Sequence, residues 1–288
     1  MKIAILTCNK CPNLAPRDEH LPALFAQRNV ALDIVVWNKP DVDWKAYDGL
    51  LFRSVWDYHL LPTEFNNWLD ELEQLGIKTL NPIETIKQNQ HKFYLKQLQQ
   101  QGIETIPTVY IEKTNNLDLS SLETQHKWPR AIIKPAVSAS SYKTTLFNST
   151  DWAKVENEYR ELAKHRELLL QPFMPEIIEA GEISMVFFNK QYSHAVKKQV
   201  RPGDFRIQAE FGGVHQIFNP EEEVIQAAEN IIALINGPLL YARVDGLLQN
   251  GRFILMELEM LEPDLFFDAH PDASKRYVNA ALQLFAAG

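Results

Sequence analysis

The sequence predicts an α/β protein in which a small parallel-sheet unit precedes a larger α+β portion. Residues 1–85 alternate apolar strand runs with helix-spaced segments, the pattern of a parallel sheet with helices on its faces. Late in the chain, Tyr241 to Asp264 (YARVDGLLQNGRFILMELEMLEPD) reads as two strands around an Asn-Gly turn, the chemistry of an antiparallel hairpin. The chain has 288 residues, 45% of them hydrophobic, a length that suits about two domains.

KIAILT is the first strand. Asp18 to Asn29 reads as a helix with Leu21, Leu24 and Phe25 on one face. ALDIVVW and GLLFRS are the second and third strands. TEFNNWLDELEQLG places Phe65, Trp68, Leu69, Leu72 and Leu75 at helical spacing and stops at Gly76. IKTLNP is a fourth strand, and Asn81-Pro82 ends the unit at about residue 85. His91 to Gly102 predicts a helix with Lys92 near its start, and Pro107 marks a strand beyond it. The polar stretch holding Asn115, Asn116, Ser120 and Ser121 reads as loop. In WPRAIIKPAVSASSYKTTLF a strand carries Lys134, turns at Pro135 and leads into Ser138-Ala139-Ser140-Ser141. Asp151 to Leu162 is a helix, and ELLLQPFM is a strand running into a Pro-bounded link. Pro220 opens a helix whose Val224, Ile225, Ala228, Ile232 and Ile235 share a face, and YVNAALQLFAA closes the chain as another.

Three stretches carry more chemistry than structure requires. The loop RSVWDYH follows the third strand, where ligand-binding groups of parallel sheets gather, and holds Arg53, Trp56, Asp57, Tyr58 and His59. Its alternative reading is a packed aromatic loop around Trp56. The small residues 138–141, followed by Lys143, let backbone N–H groups approach phosphate, or else make an ordinary turn. In the hairpin, period-2 alternation turns Glu257 and Glu259 to one face. A three-residue loop brings Asp245 opposite Glu257, whereas a two-residue loop sets Gln249 opposite Arg252 and turns Asp245 away. Three carboxylates on one patch repel each other, so they hold a cation, with an all-oxygen set suiting Mg²⁺, or they merely face water.

A formal net charge of -8 argues against nucleic acid as the main partner. MKIAILTCN is too short and too quickly polar for a signal peptide. IIALINGPLLYARV is broken by Asn236, Gly237 and Pro238, so it is not a membrane span. The expected setting is the cytoplasm. Cys8 and Cys11 form a lone C-x-x-C, read either as a redox pair or as ordinary loop thiols, with no second Cys or His pair nearby to complete a zinc site.

The order of parts is informative where single motifs are not. Lys92 precedes the strand Lys134, then come Gln171-Pro172-Phe173-Met174, a GDFR segment with a Gly pair, and an Asp…Glu-x-Glu hairpin. This order resembles the ATP-grasp superfamily, over nearly the full length. LQPFMPEIIEAGEISMVFF is similar to a segment of prokaryotic glutathione synthetase, and GDFR…GG to the ribosomal-protein glutamate ligase type. RSVWDYH, RPGDFRIQAEFGG and MELEMLEPDLFF resemble the cyclo-ligase of D-cycloserine biosynthesis and its relatives.

That resemblance implies an ATP-grasp fold with an N-terminal pre-ATP-grasp domain at 1–85. The ATP-grasp domain is then 86–288, divided into a nucleotide-covering part at about 106–175 and a metal and substrate part at 176–288. It also implies ATP and two Mg²⁺ ions. Lys92 and Lys134 contact the phosphates, with Ser140 in the loop beside them. Gln171 and the backbone of Phe173 and Met174 lie at the adenine, and Glu182 takes the ribose hydroxyls. Arg206 sits on the γ-phosphate, and Lys198 matches an arginine facing the acyl substrate. Asp245, Glu257 and Glu259 hold the metal, while Arg53, Trp56, Asp57, His59 and Glu262 face the substrate.

Two departures narrow the likeness. Glu259 stands where Asn is usual, and Ser184 replaces an arginine of the glutathione synthetase pattern, which points towards the cyclo-ligase branch. The implied reaction joins a small amino-acid-like carboxylate to an amine or similar nitrogen nucleophile through an acylphosphate. Its rivals are a nucleotide-binding regulatory module without turnover and a small-molecule kinase. Small-molecule carboxylate and amine substrates are the implied partners, without nucleic acid or membrane, and a homodimer is compatible with the sequence.

Overall fold

A computed structural model describes residues 1–201 and 213–287. The first sheet is parallel throughout, with β1 (Lys2–Thr7), β2 (Ala31–Val36), β3 (Gly49–Ser54) and β4 (Thr79–Leu80) in the order β2-β1-β3-β4. β3 is buried at every position, as expected of a central parallel strand covered on both faces. On one face, Leu50 and Phe52 pack with Phe65, Trp68, Leu69 and Leu72 of α2 (Pro62–Gln74). On the other, Ile3, Ile5 and Leu51 share a core with Phe25 of α1 (Leu21–Ala26). The first helix is thus shorter than the apolar spacing suggests, because Pro22 fixes its first turn and the flanking residues form turns.

The next region departs from expectation at two points. The helix expected over 91–102 forms as the shorter α4 (Tyr94–Gln100), an unexpected α3 (Ile83–Asn89) precedes it, and Lys92 lies in the turn between them. Its backbone N–H donates to the Ala136 carbonyl, which ties this turn to the strand that follows. After β5 (Val109–Ile111), the expected loop contains α5 (Leu119–His126). Asp118 starts it by accepting from the Ser121 N–H, and Leu119 is its buried anchor.

β6 (Arg130–Pro135), β7 (Thr145–Asn148) and β8 (Leu168–Pro172), with α6 (Trp152–Ala163) before β8, complete an antiparallel sheet ordered β5-β8-β6-β7. Trp152, Val155 and Tyr159 of α6 cover its core face. A short α7 (Glu176–Glu179) leads into β9 (Glu182–Phe188) and β10 (Gln191–Gln199). β11 (Val214–Phe218), α8 (Glu222–Ala233), β12 (Tyr241–Gln249) and β13 (Arg252–Glu259) follow. Their antiparallel sheet runs β11-β10-β9-β12-β13, with Val224, Ala228, Ile231 and Ile232 of α8 packed on it. The closing α9 (Ala273–Ala286) places Tyr277, Val278 and Ala281 in the core shared with the first sheet.

Asn81 joins the parallel sheet to the rest. Its side-chain amide donates to the carbonyls of Tyr241 (2.9 Å) and Met260 (2.7 Å), and its oxygen accepts from Leu240 N (2.7 Å) and Tyr241 N (3.3 Å). Asn89 repeats the device on β13 and the chain beyond it, donating to Leu258 O (2.7 Å) and accepting from Met260 N (2.6 Å). Both asparagines are buried, so each backbone group they satisfy would otherwise lack water. Among the described residues, no helix is long and apolar enough to cross a membrane.

Candidate active site

The hairpin sets the site's register. Its turn has two residues, Asn250 and Gly251, both at positive φ, and Gln249 pairs with Arg252. The three-residue loop is therefore not formed. Asp245 nevertheless stands opposite Glu257, because the pairing shifts between Asp245 and Gly246: Gly246 faces Leu255, and Met256 is the extra residue. A side chain at Gly246 would lie 2.5 Å from the Ile254 carbonyl and collide with the Phe253 ring, so the bulge needs glycine there. Arg243 then pairs with Glu259, one step along the same face.

These carboxylates line a cavity of about 750 Å³ between the second and third sheets. β6 contributes Lys134, β8 Gln171, β9 Glu182 and β10 Lys198, and the turn before α4 adds Lys92. Met174 lies just beyond β8, and Ser140 in the loop between β6 and β7. Ser140, Ser141 and Lys143 are all at positive φ, and the N–H groups of Tyr142 and Thr144 close turns onto the carbonyls of Ala139 and Ser141. Trp56, Asp57, His59 and Glu262 line the same cavity, together with Lys10, Arg17 and Asp264.

One sequence expectation does not hold, one is narrowed, and one falls beyond view. Arg53 is not at the mouth: it is 3% exposed, donates to both oxygens of Asp18 (3.0 and 3.1 Å) and to Pro263 O (3.0 Å), and lies over the Tyr241 and Phe267 rings. The Phe173 ring packs under Arg130, whose guanidinium lies 4.1 Å from the ring centre, and the Phe173 N–H is taken by the Arg130 carbonyl. Its N–H is therefore committed, which leaves only the Phe173 carbonyl for a base edge. Arg206 lies outside the described residues.

Charge pairing inside the cavity is dense. Lys92 meets Glu257 at 2.8 Å and donates to Ser138 O at 2.8 Å. Lys198 bridges Glu182 and Asp245, the latter at 3.4 Å. Arg243, which the sequence reading missed, grips Asp245 (2.8 Å) and Glu259. Its signal was the i, i+2 spacing to Asp245. Ser184, noted only as a replaced arginine, donates to Asp245 at 2.5 Å. Among the described residues Lys134 has no acidic partner, and burial pushes its ammonium below the ordinary lysine value.

Protons sort accordingly. Burial works against ionised Asp245, but Arg243 and Lys198 outweigh it and hold that carboxyl down at about 2. Glu257 is likewise lowered, burial yielding to Lys92 and Lys134. Burial prevails at Glu182, pushed up to about 7 despite Lys198, and it raises Glu259 and Glu262 as well.

The donor set is carboxylate oxygen, the chemistry that suits Mg²⁺. Among the described residues, no three His, Cys, Asp or Glu groups gather closely enough to hold a metal by themselves; Arg243 and Lys92 occupy the acids instead. Phosphate oxygens completing the coordination fit that arrangement, since Mg²⁺ normally binds one or two carboxylates together with substrate phosphates. Cys8 and Cys11 are free thiols, Cys8 in the core beneath α2 and Cys11 raised by burial.

A parallel N-terminal sheet followed by two antiparallel sheets clasping a charged cavity is the ATP-grasp fold. The chain is similar over nearly its whole length to the D-cycloserine synthetase DcsG, the likeness its motifs suggested. Residues 3–81 match the family described as the D-cycloserine synthetase DcsG N-terminal domain. Cycloserine biosynthesis protein DcsG of Streptomyces lavendulae is 24% identical over 281 residues, spanning 92% of this chain and 93% of that protein. The crystal structure of D-cycloserine synthetase DcsG has a TM-score of 0.88 at 20% identity, covering 99% of this chain and 100% of the other. The D-alanine–D-alanine ligase of Bacillus anthracis, solved with ATP, has a TM-score of 0.67 at 14% identity, covering 100% and 98%. The ATP-grasp ligase PsnB, solved with a precursor variant, Mg and ADP, has a TM-score of 0.65 at 12% identity, covering 98% of each chain. One of these proteins is a synthetase and two are ligases, and the chain shares their fold.

Proposed function

We propose that this protein is an ATP- and Mg²⁺-dependent carboxylate–amine ligase acting on a small amino-acid-like substrate through an acylphosphate. The observation that carries the reading is the meeting of Lys92, Lys134 and Lys198 with Asp245, Glu257 and Glu259 in one cavity of an ATP-grasp fold. Phosphoryl transfer depends on positioned cations and a water-poor site rather than on an enzyme nucleophile. The ATP and the Mg with ADP found with the two ligases support the nucleotide and the metal.

In this reading the substrate carboxylate attacks the γ-phosphate, releasing ADP, and a nitrogen nucleophile then displaces phosphate from the acylphosphate. Lys92 and Lys134 hold the phosphates, the Ser140 loop closes over them, and Glu182 takes the ribose. Gln171 and Met174 flank the base. Lys198 lies towards the acyl group, and Arg206 is assigned to the γ-phosphate from sequence alone. Asp245, Glu257 and Glu259 would hold two Mg²⁺ ions, which neutralise phosphate charge when bound. The division at residue 85, with parts at about 106–175 and 176–288, belongs to the same reading. So does a cytoplasmic setting, the compartment that supplies ATP.

The test is ADP release by the purified chain with Mg·ATP and a library of amino acids, with hydroxylamine as trap. Stimulated release with hydroxamate formation is expected. ADP release that yields a stable phosphorylated product and no hydroxamate would make it a kinase. ATP binding with no stimulated release would leave a module without turnover.

A further inference from the structure

β2 (Ala31–Val36) is an open edge of the parallel sheet, whose order is β2-β1-β3-β4. Two bonds settle which side of it is taken. The N–H groups of Ala31 and Trp37 donate to the carbonyls of Met1 (3.0 Å) and Thr7 (2.9 Å), at the two ends of β1. Backbone groups alternate sides along a strand, so Ala31, Asp33, Val35 and Trp37 turn theirs to β1, while Leu32, Ile34 and Val36 turn theirs outward. Among the described residues the outward groups of Leu32 and Ile34 meet no partner, and the Val36 carbonyl accepts only from Lys39 N at 3.1 Å.

Other edges differ. β4, at the far side of the same sheet, has two residues. The outer side of β13 is covered, since Leu255 N donates to Glu104 O (2.9 Å) and Leu255 O accepts from Ile106 N (3.1 Å). β2 has none of the usual protections: no Lys, no Pro and no bulge in its pairing. Its single charge, Asp33, is tied back to Lys2 (3.0 Å) and Tyr47 (3.1 Å). Ile34 is 39% exposed, and Leu32 and Val36 are half-buried.

An edge of this kind takes up another strand, and its own pattern selects which. Turned about a two-fold axis through Ile34, β2 complements itself along its whole length. Ile34 then faces Ile34 of the second copy, Leu32 faces Val36, and each outward pair exchanges N–H···O bonds in both directions. Asp33 faces Val35. An axis at Asp33 would set two carboxylates opposite each other, and one at Val35 would carry Leu32 past the end of the second strand. The axis at Ile34 also sets the start of one strand, after exposed Arg28, beside the end of the other, before exposed Asp41.

We propose that β2 is the surface on which a second copy of this chain docks, antiparallel and centred on Ile34, joining the two parallel sheets into one continuous sheet. The two-fold closes the assembly, because each copy spends the same edge. The interface is independent of the ligase reading.

The experiment weighs the full chain by size exclusion with light scattering at about 100 μM, ample for an interface of micromolar Kd. Wild type is expected at twice the chain mass. Residue 34 faces its own copy, so Ile34→Asp and Ile34→Lys each bring like charges together. Each variant should run at the single-chain mass, with circular dichroism and calorimetric Mg·ATP binding as in wild type. Mixed in equal amounts, the two variants should return to the doubled mass, because aspartate then faces lysine. A monomeric wild type overturns the proposal. Folded variants that stay dimeric overturn it too, since the contact then lies elsewhere. Monomeric variants that fail to recombine overturn the two-fold pairing at Ile34.

Discussion

Asp245 and Glu257 face each other across β12 and β13 although the turn joining the strands has only two residues. The mismatch is absorbed by Met256, bulged out opposite the Asp245–Gly246 step, and Gly246 is what lets the strands stay close there.

Replacing Gly246 by alanine should therefore act on the site through packing. The new methyl group meets the Ile254 carbonyl and the Phe253 ring. Overpacking of this kind costs about 1–3 kcal/mol, so a fall in urea midpoint is expected, together with weaker ATP turnover as Asp245 loses register. A midpoint equal to wild type would mean that the bulge does not depend on glycine.

Glu257→Gln keeps the shape and still offers Lys92 an acceptor, while removing the charge. Mg·ATP turnover should fall about a hundredfold, the scale found when one preorganised electrostatic contact is lost from a reacting centre. Circular dichroism should be unchanged. Normal turnover in this variant would remove Glu257 from the metal site.

Arg53 is a matter of stability. Its guanidinium and Asp18 are both nearly inaccessible, so Arg53→Met leaves a buried carboxylate without its cation. Breaking such a pair costs about 3–5 kcal/mol, and lysine should rescue poorly because it cannot reproduce the two-pronged contact. Thermal unfolding reads this directly.

Acidity gives a signed prediction. Glu182 has its pKa raised to about 7 by burial from 4.5, so the folded chain holds that proton over an interval where the unfolded chain has lost it. The stability it confers is complete below pH 4.5 and disappears as pH rises through about 7. Asp245, held down at about 2 by Arg243 and Lys198 against the pull of burial, works the other way: its contribution stands above 3.8 and is lost as pH falls through about 2. Urea unfolding across pH 5 to 8 should show a decline that Glu182→Gln makes shallower. An unchanged slope would show that Glu182 is not the titrating group.

Much of the fold was legible because parallel strands buried on both faces read as apolar runs, and α2 and α8 carry strong one-sided patterns. The hairpin acids were legible from period-2 alternation, but the bulge was not, since a glycine within a strand does not announce which partner residue loops out. The turn at Lys92 was not legible because no Gly or Pro marks a stop between Ile83 and Gln101. Arg53 misled because a charged residue in a functional-looking loop reads as exposed, and its partner Asp18 lies 35 residues earlier. Arg243 shares the face of Asp245 by the same alternation, although an arginine there does not by itself mark a site of acids.

The four bonds of Asn81 have a consequence for how such proteins are recombined. That side chain is a seam: it belongs to the end of the parallel sheet, yet it completes backbone groups at Leu240, Tyr241 and Met260. A chimaera that imports a foreign N-terminal half cut before residue 81 inherits a host asparagine only if the join respects it. Moving the junction a single residue too far leaves the wall beneath the catalytic strands with unsatisfied amides.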